Sequence, residues 1–149
     1  MSSVVVDAST ALAWRFPDEA SEYADGVLVA LEGHTVLVPA IWSLELANAV
    51  LAGERRKRLN PSEIKTFTNL LENLPIVQDA QSVSESIHAV LPLARVHGLS
   101  AYDAAYLELS IRRRAPLATS DAKLQKAANQ IGIRLFGHLK SCPTPKSRN

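Results

Sequence analysis

The sequence predicts an α/β fold of three layers, with a central parallel sheet of four to five strands and helices on both faces. Two observations predict it. Short apolar runs alternate with helical segments in the order strand, helix, strand, helices, strand, helices, strand, helix, strand, and such alternation produces a parallel sheet. The first run, Val4-Val5-Val6, is β-branched without a polar partner in alternation, as a strand covered on both faces requires.

That strand stops on Asp7, and Ser9, Thr10 and a short helical stretch to Trp14 follow. Asp7 is thereby expected at the carboxyl end of a central strand, the edge where ligand sites of open α/β sheets gather. An Asp there is also a good helix cap. Phe16-Pro17-Asp18-Glu19 breaks the pattern, and Asp18 is expected to cap a second helix reaching Leu31. Thr35-Val36-Leu37-Val38 reads as the second strand. The helix from Ile41 to Ala52 is apolar nearly all round and is expected to be buried, with Glu45 in its middle and Asn48 on the same face. A buried glutamate needs a metal or a hydrogen-bonded partner.

The basic run Arg55-Arg56-Lys57-Arg58 suits either phosphate contacts or the negative pole of a helix. Asn60-Pro61-Ser62-Glu63 opens a helix to Asn73 as cap, first turn and box. Leu74 to Val77 is a short strand. Ser82 to His97 is a helix with Val83, Ile87, Val90, Leu91 and Ala94 expected on its apolar face, and Pro92 as a kink. Gly98 stops it. Ser100 and Asp103 fit a capping box for the Ala-rich helix that follows, which ends on Arg112-Arg113-Arg114. Pro116 to Asp121 repeats the opening theme: a short strand, then Thr119, Ser120 and Asp121, then a helix to Ile131. Gly132 to Phe136 is the last strand candidate. One domain is expected over 1–140, with 141–149 a disordered tail.

Composition narrows the function. A net charge of +1 excludes a chain coated in positive charge for bulk nucleic-acid binding, and 5% aromatics disfavours base stacking as its mode. The single cysteine, Cys142, makes neither an intrachain disulfide nor a cysteine zinc site, which fits a reducing cytoplasm. No signal-peptide pattern appears, and no apolar run approaches the ~20 residues that cross a bilayer, so no membrane association is expected. No nucleotide-binding glycine motif is present.

Four carboxylates, Asp7, Glu45, Asp103 and Asp121, are thus expected to converge on one sheet edge. Clustered carboxylates repel unless a cation intervenes. An all-oxygen set without His or Cys points to Mg²⁺ or Mn²⁺, and such sites suit phosphodiester hydrolysis. A hydrolase with an aspartate nucleophile fits less well, because its second Asp would stand where Ser9 does. A phospho-acceptor receiver domain lacks its late-strand Lys.

The ordered set Val6-Asp7-Ala8-Ser9, Glu45-Leu46-Ala47-Asn48-Ala49, Ser100-Ala101-Tyr102-Asp103-Ala104 and Thr119-Ser120-Asp121 resembles the PIN-domain nucleases, in particular the VapC toxins of prokaryotic toxin–antitoxin pairs. The likeness runs from about Val4 to Phe136. It implies an Mg²⁺- or Mn²⁺-dependent endoribonuclease that is homodimeric and held inactive by a VapB-type antitoxin. By position, Asp7, Glu45, Asp103 and Asp121 match the family's metal-binding, catalytic acids. Ser9, Asn48 and Ser120 match its supporting polar positions, with Thr119 or Thr10 as helpers. RNA rather than DNA as substrate rests on this likeness alone. Arg55, Arg56, Arg112, Arg113 and Arg114 are candidate phosphate contacts, and a groove near the 41–73 helical arm is the expected antitoxin dock. A PIN-like scaffold that binds RNA or protein without cutting is the alternative.

Overall fold

The computed structural model describes residues 2–16 and 21–137. Among them run β1 (Ser3–Val6), α1 (Ala8–Leu12), α2 (Glu22–Ala30), β2 (Thr35–Val38), α3 (Trp42–Arg55), α4 (Pro61–Glu72), β3 (Ile76–Gln78), α5 (Val83–His97), α6 (Ala101–Arg113), β4 (Leu117–Ala118) and α7 (Ala122–Gln130). The sheet is parallel throughout, in the order β3-β2-β1-β4. β1 is central, with Val5 opposite both Leu37 and Leu117. Val4, Val5 and Val6 have no exposed surface, although successive side chains on a strand point to opposite faces. Both faces of β1 are therefore covered, as its sequence demanded. Burying each such valine stabilises the fold by about 1.5–3 kcal/mol.

The sheet has four strands among the described residues, the lower of the two expected numbers. The Gly132–Phe136 stretch makes only one parallel bridge, Leu117 to Leu135. Leu117 donates to the Arg134 carbonyl and accepts from the Phe136 amide, and no further pairing of this stretch occurs among the described residues. Ser21, not Asp18, caps α2, through a 3.0 Å bond from the Ala24 amide. Asp18, Cys142 and the expected tail lie outside the described residues.

Two helices carry their apolar residues differently from expectation. α3 buries only Trp42 and Leu46 and leaves Leu44 and Leu51 exposed. It lies along α1 as a rim of the molecule rather than inside it, so Glu45 is half-buried. On α5, Val90, Leu93 and Ala94 pack on the core, while Val83, Ile87 and Leu91 face outward. The helix continues through Pro92 and ends at Gly98, whose φ of 63° needs the left-handed freedom of glycine. The expected caps of α4 and α6 form at Asn60 and Ser100, and Ser82 caps α5.

Candidate active site

The edge formed by the carboxyl ends of the strands carries the site. β1 ends at Val6, and the Asp7 amide still bonds the Ala118 carbonyl at 3.1 Å, which fixes the residue at the strand tip. Asp7 is 5% exposed, and it both ends β1 and caps α1. Its Oδ1 accepts the Thr10 amide at 2.8 Å, capping α1. Its Oδ2 accepts the Ser9 hydroxyl at 3.1 Å and the hydroxyl of Thr119, from the end of β4. A carboxylate offers about four lone-pair positions, so these three bonds orient the group and leave it one open direction.

Glu45 comes from the first turn of α3. Its Oε1 accepts the hydroxyl of Tyr106 at 2.8 Å. Burial pushes its carboxyl above the ordinary value, the Tyr106 bond counters that, and Asp103 and Asp7 push it further up. Asp103 sits in the first turn of α6, and its amide donates to the Ser100 hydroxyl at 3.1 Å. The reciprocal bond that closes the box at Ser82 and Glu85 is not made here, so the Asp103 side chain is not spent on capping. Its carboxyl is also raised, by burial first and then by Asp121 and Asp7, while the Ser100 hydroxyl and Lys123 lower it. Asp121 caps α7 by accepting the Leu124 amide at 2.9 Å, and its own amide donates to Thr119 Oγ1 at 3.1 Å.

The structure thus places Asp103 within electrostatic reach of Glu45, Asp7 and Asp121, and Glu45 within reach of Asp7. It does not gather them into a finished cage: among the described residues no three Asp, Glu, His or Cys side chains stand ready to ligate one ion. Four carboxylates, two of them held above their normal pKa, still form an oxygen-only donor set suited to a hard divalent cation. Mg²⁺ needs only one or two direct carboxylates and keeps several waters, so a loose rim suits it better than a tight cage.

Thr119 is fully buried behind Asp7, whereas Ser120 is exposed and makes no side-chain bond among the described residues. Asn48 is exposed beside Glu45 and shares a groove with Ile41, Leu44 and Tyr102. Thr10 Oγ1 is buried without a hydrogen-bond partner.

Arg55 and Arg56 lie at the exposed end of α3. Arg112 is committed elsewhere: its guanidinium bonds both oxygens of Asp79 and both of Glu108. Arg113 stands 3.6 Å from Asp79, and Arg114 ends α6 in a left-handed conformation. In the run that the sequence offers as a phosphate-binding patch, Arg112 and Arg113 are thus ion-paired, and all three arginines remain exposed. Tyr106 escaped the reading of the sequence. It lies three residues after Asp103, on the same helix face, and that spacing was the available signal.

Comparison with known proteins agrees with this geometry. Residues 4–130 match the PIN domain family model. The chain is 34% identical over 122 residues to Ribonuclease VapC3 of Pyrobaculum aerophilum, covering 81% of this chain and 91% of that one. The crystal structure of PAE2754 from Pyrobaculum aerophilum superposes with a TM-score of 0.62 at 22% identity, over 85% of this chain and 79% of the other. That of FitAcB from Neisseria gonorrhoeae gives 0.60 at 20% identity, over 89% and 96%. These two likenesses concern the fold; the family match and the curated relative carry the assignment. The chain belongs to the PIN-domain family, among its VapC-type members.

Proposed function

We propose that this protein is a metal-dependent endoribonuclease, the toxin of a VapBC-type pair, hydrolysing RNA phosphodiester bonds at an Mg²⁺ or Mn²⁺ site on Asp7, Glu45, Asp103 and Asp121. The observation that carries the reading is the acidic rim: four convergent carboxylates, with Lys123 the one cation among the described residues that acts on Asp103. Keeping repelling charges together is unfavourable unless a cation joins them, and this disfavours a scaffold that binds without cutting. The 34% identity to a protein named a ribonuclease supports RNA as the substrate.

A bound divalent ion would supply charge to offset that developing on the transition state and would acidify a bound water. The protein's own groups do the rest. Thr10, Ser9 and Thr119 fix the Asp7 carboxylate in one orientation, with its remaining lone pair open. Among the described residues, Glu45 Oε2 and Asp121 Oδ2 accept no hydrogen bond, and only the other oxygen of each is engaged. These open atoms would hold the ion directly or through water.

The antitoxin belongs in the groove between the end of α1 and the end of α3, about 200 Å³, lined by Leu12, Phe16, Ala52 and Leu59 and edged by Arg56 and Arg58. Gly53 shapes it, because a Cβ there would collide with Leu59. Apolar walls with basic edges suit a peptide carrying aliphatic and acidic residues. The reading also includes a homodimer, for which the outward stripe Val83, Ile87 and Leu91 of α5 supplies apolar surface.

Antitoxin-free protein incubated with total RNA should give discrete cleavage with Mg²⁺ or Mn²⁺, none with EDTA, and none from an Asp7→Asn variant. Absence of cleavage of any RNA by folded, metal-supplemented protein would reject the enzyme and favour the scaffold.

A further inference from the structure

Glu45 differs from the other three carboxylates in how it is held. Asp7 and Asp121 each cap a helix with their own side chain, and Asp103 sits on the helix that Ser100 caps. Glu45 has no such anchor. Its helix, α3, begins at Ile41 with no side-chain cap and packs along α1. Its side chain has three rotatable bonds and is half exposed, so nothing local selects one orientation.

The selecting contact comes from α6. Tyr106 is 1% exposed, its ring enclosed in the core with only the hydroxyl reaching the rim. That hydroxyl donates to Glu45 Oε1 at 2.8 Å across 61 residues of sequence. The Ala8 backbone acts on the same phenolic oxygen, so the hydroxyl lies between the start of α1 and the carboxylate of α3. A buried phenol has one proton to give and a fixed place from which to give it. Its donation occupies one oxygen of Glu45 and leaves Oε2 open, in an orientation set by the rigid core rather than by the exposed helix.

We propose that Tyr106 is a positioning residue for the metal site: it holds the Glu45 carboxylate toward Asp7 and Asp103 before any ion arrives. This rests on the carboxylate rim being a metal site. Outer-shell partners of this kind are commonly worth about 10–100-fold in metal affinity. The ring itself is core packing, so replacing it whole would confuse the two roles; removing only the hydroxyl separates them.

The test is Mn²⁺ binding to full-length protein, followed by electron paramagnetic resonance of free Mn²⁺, for the wild type, Tyr106→Phe, Glu45→Ala and the double variant. Melting in EDTA reports folding separately. Tyr106→Phe should melt close to the wild type but bind Mn²⁺ about tenfold more weakly. In the Glu45→Ala background the same change should alter Mn²⁺ affinity by less than about twofold, because its only route is through Glu45. RNA cleavage by Tyr106→Phe should recover most of its rate as Mn²⁺ is raised. Wild-type affinity in Tyr106→Phe, or an equal loss in both backgrounds, overturns the positioning role and leaves the metal site standing. Failure of the wild type to bind Mn²⁺ overturns the metal site and this role with it.

Discussion

Two acidic groups stand beyond the carboxyl ends of the strands, and the molecule treats them oppositely. Asp79 follows β3 as directly as Asp7 follows β1, with its amide still bonded to Val38 at 2.9 Å. Asp79 and Glu108 are nearly enclosed, and Arg112 lies between them with its fork filled by both. Arg113 adds a second cation at 3.6 Å. Those carboxylates hold the Arg112 proton more tightly than usual. The second group, Asp7, Glu45, Asp103 and Asp121, has no arginine fork among its described contacts, and Glu45 and Asp103 are raised rather than settled. Acidic residues at a strand tip therefore do not by themselves mark a site. The mark is acidity that the protein leaves unneutralised.

The comparison is broken most directly by removing the clamp. Arg112→Ala leaves Glu108 buried without a cation and Asp79 with only Arg113, 3.6 Å away. Loss of one partner from a buried ion pair costs about 3–5 kcal/mol, and partial exposure of the arginine reduces this to about 2–3 kcal/mol. Urea unfolding should show that loss; a change under about 0.5 kcal/mol would mean that the clamp contributes little.

Neutralising the other group should do the reverse. Asp103→Asn relieves repulsion, so in EDTA the variant should melt no lower than the wild type, while cleavage falls on the order of a hundredfold or more, the upper end of what even outer-shell losses cause. A variant that melts well below the wild type would show that Asp103 is structural.

The smallest effect sharpens the contrast through pH. Raised carboxyls take up protons in the folded state at a higher pH than in the unfolded chain, so metal-free protein gains stability as pH falls from 7. The gain is complete below the unfolded value, about 4. Melting temperatures in EDTA at pH 7, 6 and 5 should rise for the wild type relative to Asp103→Asn, and saturating Mg²⁺ should flatten the difference. Parallel curves would contradict the shifts.

How much of this was legible in the sequence depends on the element. β1 and Asp7 were, because three valines without alternation admit one environment and the carboxylate ends them. The caps at Asn60 and Ser100 were, because each acts on the amide three residues away. The faces of α3 and α5 were not. A stripe such as Val83, Ile87 and Leu91 has helical spacing whether it meets the core or faces outward, and only the placement of neighbouring elements decides. The last strand failed for a related reason: Ile133 and Leu135 suit a strand, yet the chain meets β4 for a single bridge. At the site, the four acids could be found one by one through local context. For Tyr106 the only local signal was its spacing from Asp103, since its bond to Glu45 reaches a helix 61 residues earlier.

The bond from Thr119 to Asp7 joins positions 112 residues apart. Asp7 leaves the ribosome well before Thr119 does. At roughly 5–20 residues per second, several seconds of synthesis separate them. Through that interval Asp7 lacks both the hydroxyl that orients it and the β4 edge that seats its backbone, and Asp121 has not yet been made. The acidic rim is therefore assembled late relative to its first member: Asp7 is seated only once Thr119 and Asp121 have followed it out of the ribosome.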